Sequence, residues 1–144
     1  MPLPEKINFE LVSPEEKLVS EQAYMVVAPG DEGDFAAMPG SSSILASLRP
    51  GVVTIHWERE EKEPLRVFIT GGFADVTGEQ CTILAEQAND VADFDQSEIE
   101  QQIRNLQEDL GMAKDRKDIR QIKENLTIAY AKLEVLTGKA VISL

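Results

Sequence analysis

The sequence predicts an α+β chain in two segregated parts: an antiparallel β-sandwich over residues 1–88, then an antiparallel αα-hairpin over residues 89–144. Three observations carry this. From Ile7 to Ala85 the apolar residues fall in short runs rich in valine, isoleucine and phenylalanine, with turn residues at intervals of about eight to twelve. After Glu86 the apolar spacing changes to three and four, the period of a helix with one buried stripe. Between Val27 and Gly40, two Pro-Gly pairs bracket three acids, so a strand-like run is turned sharply twice in one stretch.

Ile7-Asn8-Phe9-Glu10-Leu11 alternates apolar and polar side chains, the pattern of a half-buried strand. Ser13-Pro14-Glu15-Glu16 turns the chain. Lys17 to Ala28 reads as one kinked strand ending in the run Ala23 to Val27. Pro29-Gly30 is expected to break it. Asp31, Glu32 and Asp34 then form an acidic turn, and Phe35 and Met38 lie on a semi-apolar edge segment closed by Pro39-Gly40. That shape suits docking onto another protein and lacks the polar groups of catalysis; Pro-Gly turns around an apolar segment also occur in any sandwich.

Ser41-Ser42-Ser43 connects to a short apolar element, Ile44 to Leu48, stopped by Arg49-Pro50-Gly51. Val52 to Trp57 is β-branched and aromatic, hence a strand. Glu58 to Glu63 is all charge and predicts a solvated hairpin tip, with Leu65 to Thr70 returning. Gly71-Gly72 permits a tight bend or a close backbone approach. Phe73 to Val76, the turn Thr77-Gly78-Glu79 and the strand Gln80 to Ala85 complete the first part.

In the second part Asp95 and Ser97 are candidate N-caps, and Ser97 with Glu100 fits a capping box. Ile99, Ile103, Leu106 and Leu110 form one helical stripe, expected to end at Gly111. A connector of about seven residues leads to Asp118 as a second cap. Ile119, Ile122, Leu126, Ala129, Leu133 and Leu136 form the second stripe, ended by Gly138. Two such seams make an αα-hairpin, and a small contact of this kind marks either a movable part or a docked structural one.

Charge narrows the function. The net charge is −12; residues 1–87 hold fifteen acids and six bases, residues 88–144 eleven acids and eight bases. Such a balance argues against nucleic acid and against an electrostatic hold on an anionic membrane. No apolar run approaches the ~20 residues of a membrane span, and the start, Met-Pro-Leu-Pro-Glu-Lys, has no apolar core of a signal peptide. A soluble cytoplasmic protein is the expectation. Cys81 is the lone cysteine and reads as a small apolar strand residue. His56 is the lone histidine, so neither a metal site nor a nucleophile–base pair has its parts. No phosphate-binding glycine motif occurs. A binding or coupling protein is favoured, without cofactor and without metal.

Several motifs then fall into one order. Pro29-Gly30-Asp31-Glu32-Gly33-Asp34-Phe35 with Met38-Pro39-Gly40 comes first, then Leu48-Arg49-Pro50-Gly51-Val52. Gly71-Gly72-Phe73-Ala74-Asp75-Val76 and Thr82-Ile83-Leu84-Ala85-Glu86 follow. Together they resemble the epsilon subunit of F-type ATP synthases through residues 7–88, and the helical hairpin is similar to that family's second domain. The resemblance implies a non-catalytic rotor subunit of the central stalk, bound to the gamma subunit and seated on the ring of c subunits. It implies a peripheral place on the cytoplasmic face of a bacterial inner membrane, without insertion. By resemblance, Glu32, Asp34, Phe35, Met38, Pro39, Gly40 and Ser41 are candidates for contact with the c-ring, and Gly71, Gly72 and Phe73 for contact with gamma. An exposed ion pair at Asp34 would add only ~0–1 kcal/mol, so grip must come from neighbouring apolar and backbone contacts.

Two departures stand out. Ser41-Ser42-Ser43 replaces the His-Ala-Pro of many members, which should loosen that loop. Phe94-Asp95-Gln96-Ser97-Glu98-Ile99 stands where some members bind ATP through Asp-x-x-Arg; Glu98 in place of the Arg would repel phosphate, so no tight ATP binding is expected. In many relatives the hairpin extends into the catalytic head of alpha and beta subunits and blocks hydrolysis. Lys114, Arg116, Lys117, Arg120 and Lys123 are the candidate residues for that role, and ordinary solvated helix surface is the competing reading. A different class of function stays open: a regulatory module that senses a small ligand and moves its hairpin.

Overall fold

This computed structural model describes residues 5–60 and 63–138. The expected charged tip at Glu58–Glu63 is described except for residues 61 and 62, and the tail from residue 139 lies outside the described residues. The protein divides into two compact units, 1–92 and 93–144.

Among the described residues the first unit holds ten strands: β1 (Ile7–Val12), β2 (Lys17–Ala23), β3 (Met25–Gly30), β4 (Gly33–Ala37), β5 (Ile44–Leu48), β6 (Gly51–His56), β7 (Leu65–Ile69), β8 (Gly72–Val76), β9 (Gln80–Ala85) and β10 (Ala88–Asp90). They hydrogen-bond in the order β10-β7-β6-β3-β5-β8-β9-β1-β2, with β4 added on β3. This continuous ribbon folds over itself as a sandwich. Alternate residues turn to one shared interior: Phe9, Leu11, Val26, Ile55, Ile69, Val76 and Ile83 all lie in a single buried cluster. The strands pair antiparallel, with the exception of β1 and β9, which run parallel in the register Phe9↔Cys81.

The expected kinked strand from Lys17 to Ala28 is two strands. Ala23 pairs with Ile7 of β1, whereas Met25 pairs with His56 of β6. Between them the Tyr24 N–H donates to the His56 carbonyl at 2.8 Å, so the backbone switches partner at that residue. The first Pro-Gly pair does not break the strand: Pro29 and Gly30 are its last two paired residues, opposite Asp34 and Gly33. Strand β10 has no counterpart in the sequence pattern. It is three residues long and polar, and only its pairing with Val67–Ile69 makes it a strand.

A 3₁₀ turn (Val91–Asp93) leads from the first unit into the second, which holds α1 (Gln96–Met112) and α2 (Arg116–Thr137). Ile99, Ile103, Leu126 and Ala129 form its buried seam, flanked by Phe94, Leu106, Leu110, Ile122, Tyr130, Leu133 and Leu136. Asp95 is the cap of α1: its carboxylate accepts from the N–H groups of Ser97 and Glu98, and from the Ser97 hydroxyl at 2.7 Å. The Ser97–Glu100 capping box does not form, because Asp95 is the cap and Ser97 lies inside α1; Glu100 accepts from Gln96 at 3.0 Å instead. Gly111 lies inside α1, and the connector is only Ala113 to Asp115. Asp115, not Asp118, caps α2 by accepting from the Lys117 N–H at 2.9 Å. Gly138 ends α2 in the left-handed conformation, φ +70°.

Candidate functional site

The β3–β4 hairpin is tied to the end of β5 by side-chain and backbone bonds. Asp31 and Glu32 form its turn, and the positive φ sits on Gly33 at +135°. Gly30 must be glycine for space: a Cβ there would stand 2.6 Å from the Gly33 carbonyl and 3.1 Å from the Phe35 ring. The Phe35 ring thus lies on the backbone of the opposite strand and packs on the core cluster.

One cation locks this tip to β5. The Arg49 guanidinium donates to the Gly30 carbonyl and to the Asp34 carboxylate. Backbone bonds flank it: Arg49 N–H to Pro29 carbonyl and Asp31 N–H to Ser47 carbonyl, each at 2.9 Å. Asp34 therefore already has an internal partner. Asp31 and Glu32 are exposed and have no cation partner among the described residues. Sequence reasoning missed Arg49 as a positioning group. Its signal was present, as the one base between Asp34 and the charged tip at Glu58.

Met38-Pro39-Gly40-Ser41 forms a type II turn, with Pro39 second, Gly40 third at φ +81°, and the Ser41 N–H donating to the Met38 carbonyl at 3.0 Å. The Ser41 hydroxyl accepts from the Met38 N–H at 2.8 Å. Gly40 N–H donates to the Gly78 carbonyl at 2.8 Å, tying this turn to the β8–β9 turn. The expected loosening after loss of a proline is thus offset by a hydroxyl and a cross-link to a neighbouring turn.

Gly71 and Gly72 adopt φ +134° and +152°. At Gly72 the backbones of β8 and β9 meet so closely that a Cβ would stand 2.0 Å from the Leu84 carbonyl oxygen. Phe73 follows and points outward, opposite Leu84 and diagonal to Leu45. Their exposures are 38%, 53% and 70%, while their strand neighbours Ala74, Ile83 and Ala85 are buried. Phe73, Leu84 and Leu45 form a diagonal apolar strip across the outside of β5, β8 and β9, with Asp75 opposite Leu45 and Ser47 opposite Phe73. Leu45 and Leu84 were not singled out from the sequence, because a strand with one core face gives no sign of which outward residues of other strands flank it.

Lys114 lies in the helix connector; Arg116 and Lys117 open α2, and Arg120 and Lys123 follow. Arg116, Arg120 and Lys123 share a face with Ile119 and Thr127 around an open groove of about 380 Å³. Cations at a helix N-terminus oppose its dipole, so this placement does not serve helix stability.

Neither unit shows groups assembled for chemistry among its described residues. No cluster of three metal-ligating side chains occurs there. Burial, with the Asp75 charge beside it, pushes the Cys81 thiol up to about 12, so it stays protonated and inert. No helix among the described residues is long and apolar enough to cross a membrane.

Comparison with known proteins agrees with this architecture. A family model described as the ATP synthase delta/epsilon chain β-sandwich domain matches residues 6–91. A second, describing the C-terminal domain of the ATP synthase epsilon chain, matches residues 95–142. The ATP synthase epsilon chain of Rhodospirillum centenum is 37% identical over 138 residues, 94% of each protein. That of Parvibaculum lavamentivorans is 43% identical over 110 residues, 76% of this chain and 82% of the relative. One polypeptide of the Euglena gracilis mitochondrial ATP synthase, solved with its c-ring, superposes with a TM-score of 0.83 at 19% identity, covering 94% of this chain and 84% of that one. One polypeptide of the Tetrahymena thermophila mitochondrial central stalk and c-ring shares the fold at a TM-score of 0.63 and 16% identity, over 94% of this chain and all of that one. With both units matched in order and relatives aligned along nearly the whole length, the protein belongs to the family of ATP synthase epsilon chains.

Proposed function

We propose that this chain is a non-catalytic subunit of the ATP synthase central stalk, held between the gamma subunit and the c-ring and coupling proton flow to ATP synthesis through contact alone. The observation that carries this reading is the outward strip of Leu45, Phe73 and Leu84, which no described strand of its own unit covers. An exposed strip of this kind, next to a rigid acidic tip, suits docking and has no catalytic use. The Pro39-Gly40 turn and the tip with Glu32 and Phe35 would face the c-ring; the strip beginning at Gly71-Gly72-Phe73 would face gamma. Because Asp34 is engaged by Arg49, the charge free to meet a partner belongs to Asp31 and Glu32. The subunit would sit peripherally on the cytoplasmic side of a bacterial inner membrane.

The test is affinity for the rotor purified without this subunit. A Phe73→Asp, Leu84→Asp double variant puts two charges into the strip while leaving the core untouched. Loss of about a hundredfold or more in affinity is expected, since a buried unpaired charge is costly at an interface. Binding at the wild-type level, with an unchanged circular dichroism spectrum, would refute the reading.

The basic face of α2 supports a second role, inhibition of hydrolysis by contact of Arg116, Arg120 and Lys123 with acidic surfaces of the alpha and beta subunits. Replacing all three by alanine should raise ATP hydrolysis by the purified complex; an unchanged rate would leave these bases with no such role.

A further inference from the structure

Strand edges are pairing templates, and folded proteins guard them with charge, proline or short length. Here β10 is only three residues long and β2 carries Lys17 and Glu21. Strand β4 carries Asp34, held by Arg49. Strand β5, Ile-Leu-Ala-Ser-Leu, has neither charge nor proline. On one side it pairs with β8 along its whole length. On the other it pairs with β3 only at Leu48, opposite Gly30, and with the Asp31 N–H through the Ser47 carbonyl. Since Ser47 faces β3, Leu45, two residues earlier, presents its N–H and carbonyl to the same side. There the partner strand has ended, so these two groups lie along an open edge.

That edge borders an open groove of about 500 Å³ between the hairpin tip and β5. Phe35 and Ile44, both packed on the core, give it an apolar floor. Asp31, Glu32 and Asp34 line it as well, and no base among the described residues does. A slot with an unpaired strand edge, an apolar floor and an acidic end fits an extended polypeptide better than a helix or a small anion.

We infer that the open edge of β5 receives an extended segment of the docking partner as an added strand, with an apolar side chain over Phe35 and Ile44 and a cation beside Asp31 and Glu32. This rests on the docking function proposed above, and it adds the mode of recognition. The backbone supplies the hold, and the acids select a basic segment.

The test compares amide exchange in the full-length protein, alone and bound to the rotor purified without it. The Leu45 amide should exchange about a hundredfold more slowly in the complex, as a newly paired strand amide does. Leu45→Pro removes that N–H, which is not part of the β8 ladder, whereas Leu45→Ala keeps it; the proline variant should bind about tenfold or more weakly than the alanine variant. Tight binding with unaltered Leu45 exchange would overturn strand addition while leaving docking intact. Equal affinity of the two variants would do the same. Absence of any binding would overturn both readings. Protection of Leu45 in the isolated protein, rising with concentration together with a dimer mass, would assign the edge to a second copy and overturn the inference.

Discussion

Gly71 and Gly72 stand side by side with similar backbone conformations, yet substitution at the two should differ sharply. Both have a positive φ that L-residues rarely adopt, so alanine at either costs about 1–3 kcal/mol in backbone strain. At Gly71 the nearest atoms to a new Cβ are 3.6 Å away, an ordinary contact, and strain is the whole effect. At Gly72 the new Cβ would stand 2.0 Å from the Leu84 carbonyl oxygen and 3.0 Å from the Ala85 Cα. Both obstacles are backbone, so the start of β8 must part from β9. That adds about 1–3 kcal/mol of overpacking and lost pairing, for a total of about 2–6 kcal/mol. Urea denaturation reads the difference directly. With a slope of about 1.5 kcal/mol/M, Gly71→Ala should lower the midpoint by about 1–2 M and Gly72→Ala by about 1–2 M more. Equal shifts would mean that the close approach of β8 to β9 is absent and that the double glycine serves only the bend.

Other perturbations follow from single contacts. Arg49→Ala should cost only about 1–2 kcal/mol, because its ion pair is exposed and its bond to Gly30 only partly buried, yet it should speed amide exchange at Asp31; Arg49→Lys should restore part of this. Leu126→Ala, in a seam with few buried residues, should cost the helical unit about 2–4 kcal/mol, read as loss of helical circular dichroism on heating. The Asp95 carboxyl is held below its usual range by the bonds it accepts from Ser97 and Glu98. A depressed carboxyl adds stability above its unfolded pKa and loses it as pH falls through the folded one. Helicity should therefore decline on acidification below about pH 4, and Asp95→Asn should flatten that dependence. Cys81, protonated and buried, should resist a thiol reagent at about pH 8 until urea opens the sheet; rapid labelling of the native protein would contradict its burial.

Much of this architecture was legible because burial writes itself into spacing. Ile7, Phe9 and Leu11 alternate, and all three are in the core. Ile99, Ile103, Leu126 and Ala129 fall at helical spacing, and all four form the seam. What escaped depended on long-range partners. The strand break at Tyr24 is set by β1 ending and β6 beginning, which no local pattern records. Pro29 stays in a strand because the residue it faces, Asp34, pairs without needing its missing N–H. Gly111 costs a helix only about 1 kcal/mol, so α1 runs through it until Ala113, whose N–H closes on Asp109. Asp115 and Asp118 are equally good caps by composition; the three-residue connector, invisible to periodicity, selects the first. At the site, the acidic tip and the double glycine were readable from turn chemistry. The Arg49 lock left one sign, a single base after the acidic tip, and the Leu45–Phe73–Leu84 strip left none, because each joins residues from different strands.

Proton-driven ATP synthesis in membrane vesicles stripped of this subunit tests docking without chemistry most directly. Wild-type protein added back should restore synthesis, and the Phe73→Asp, Leu84→Asp variant of unchanged fold should not, even at about tenfold higher concentration. Full restoration by the double variant, or turnover of ATP by the isolated subunit, would contradict it.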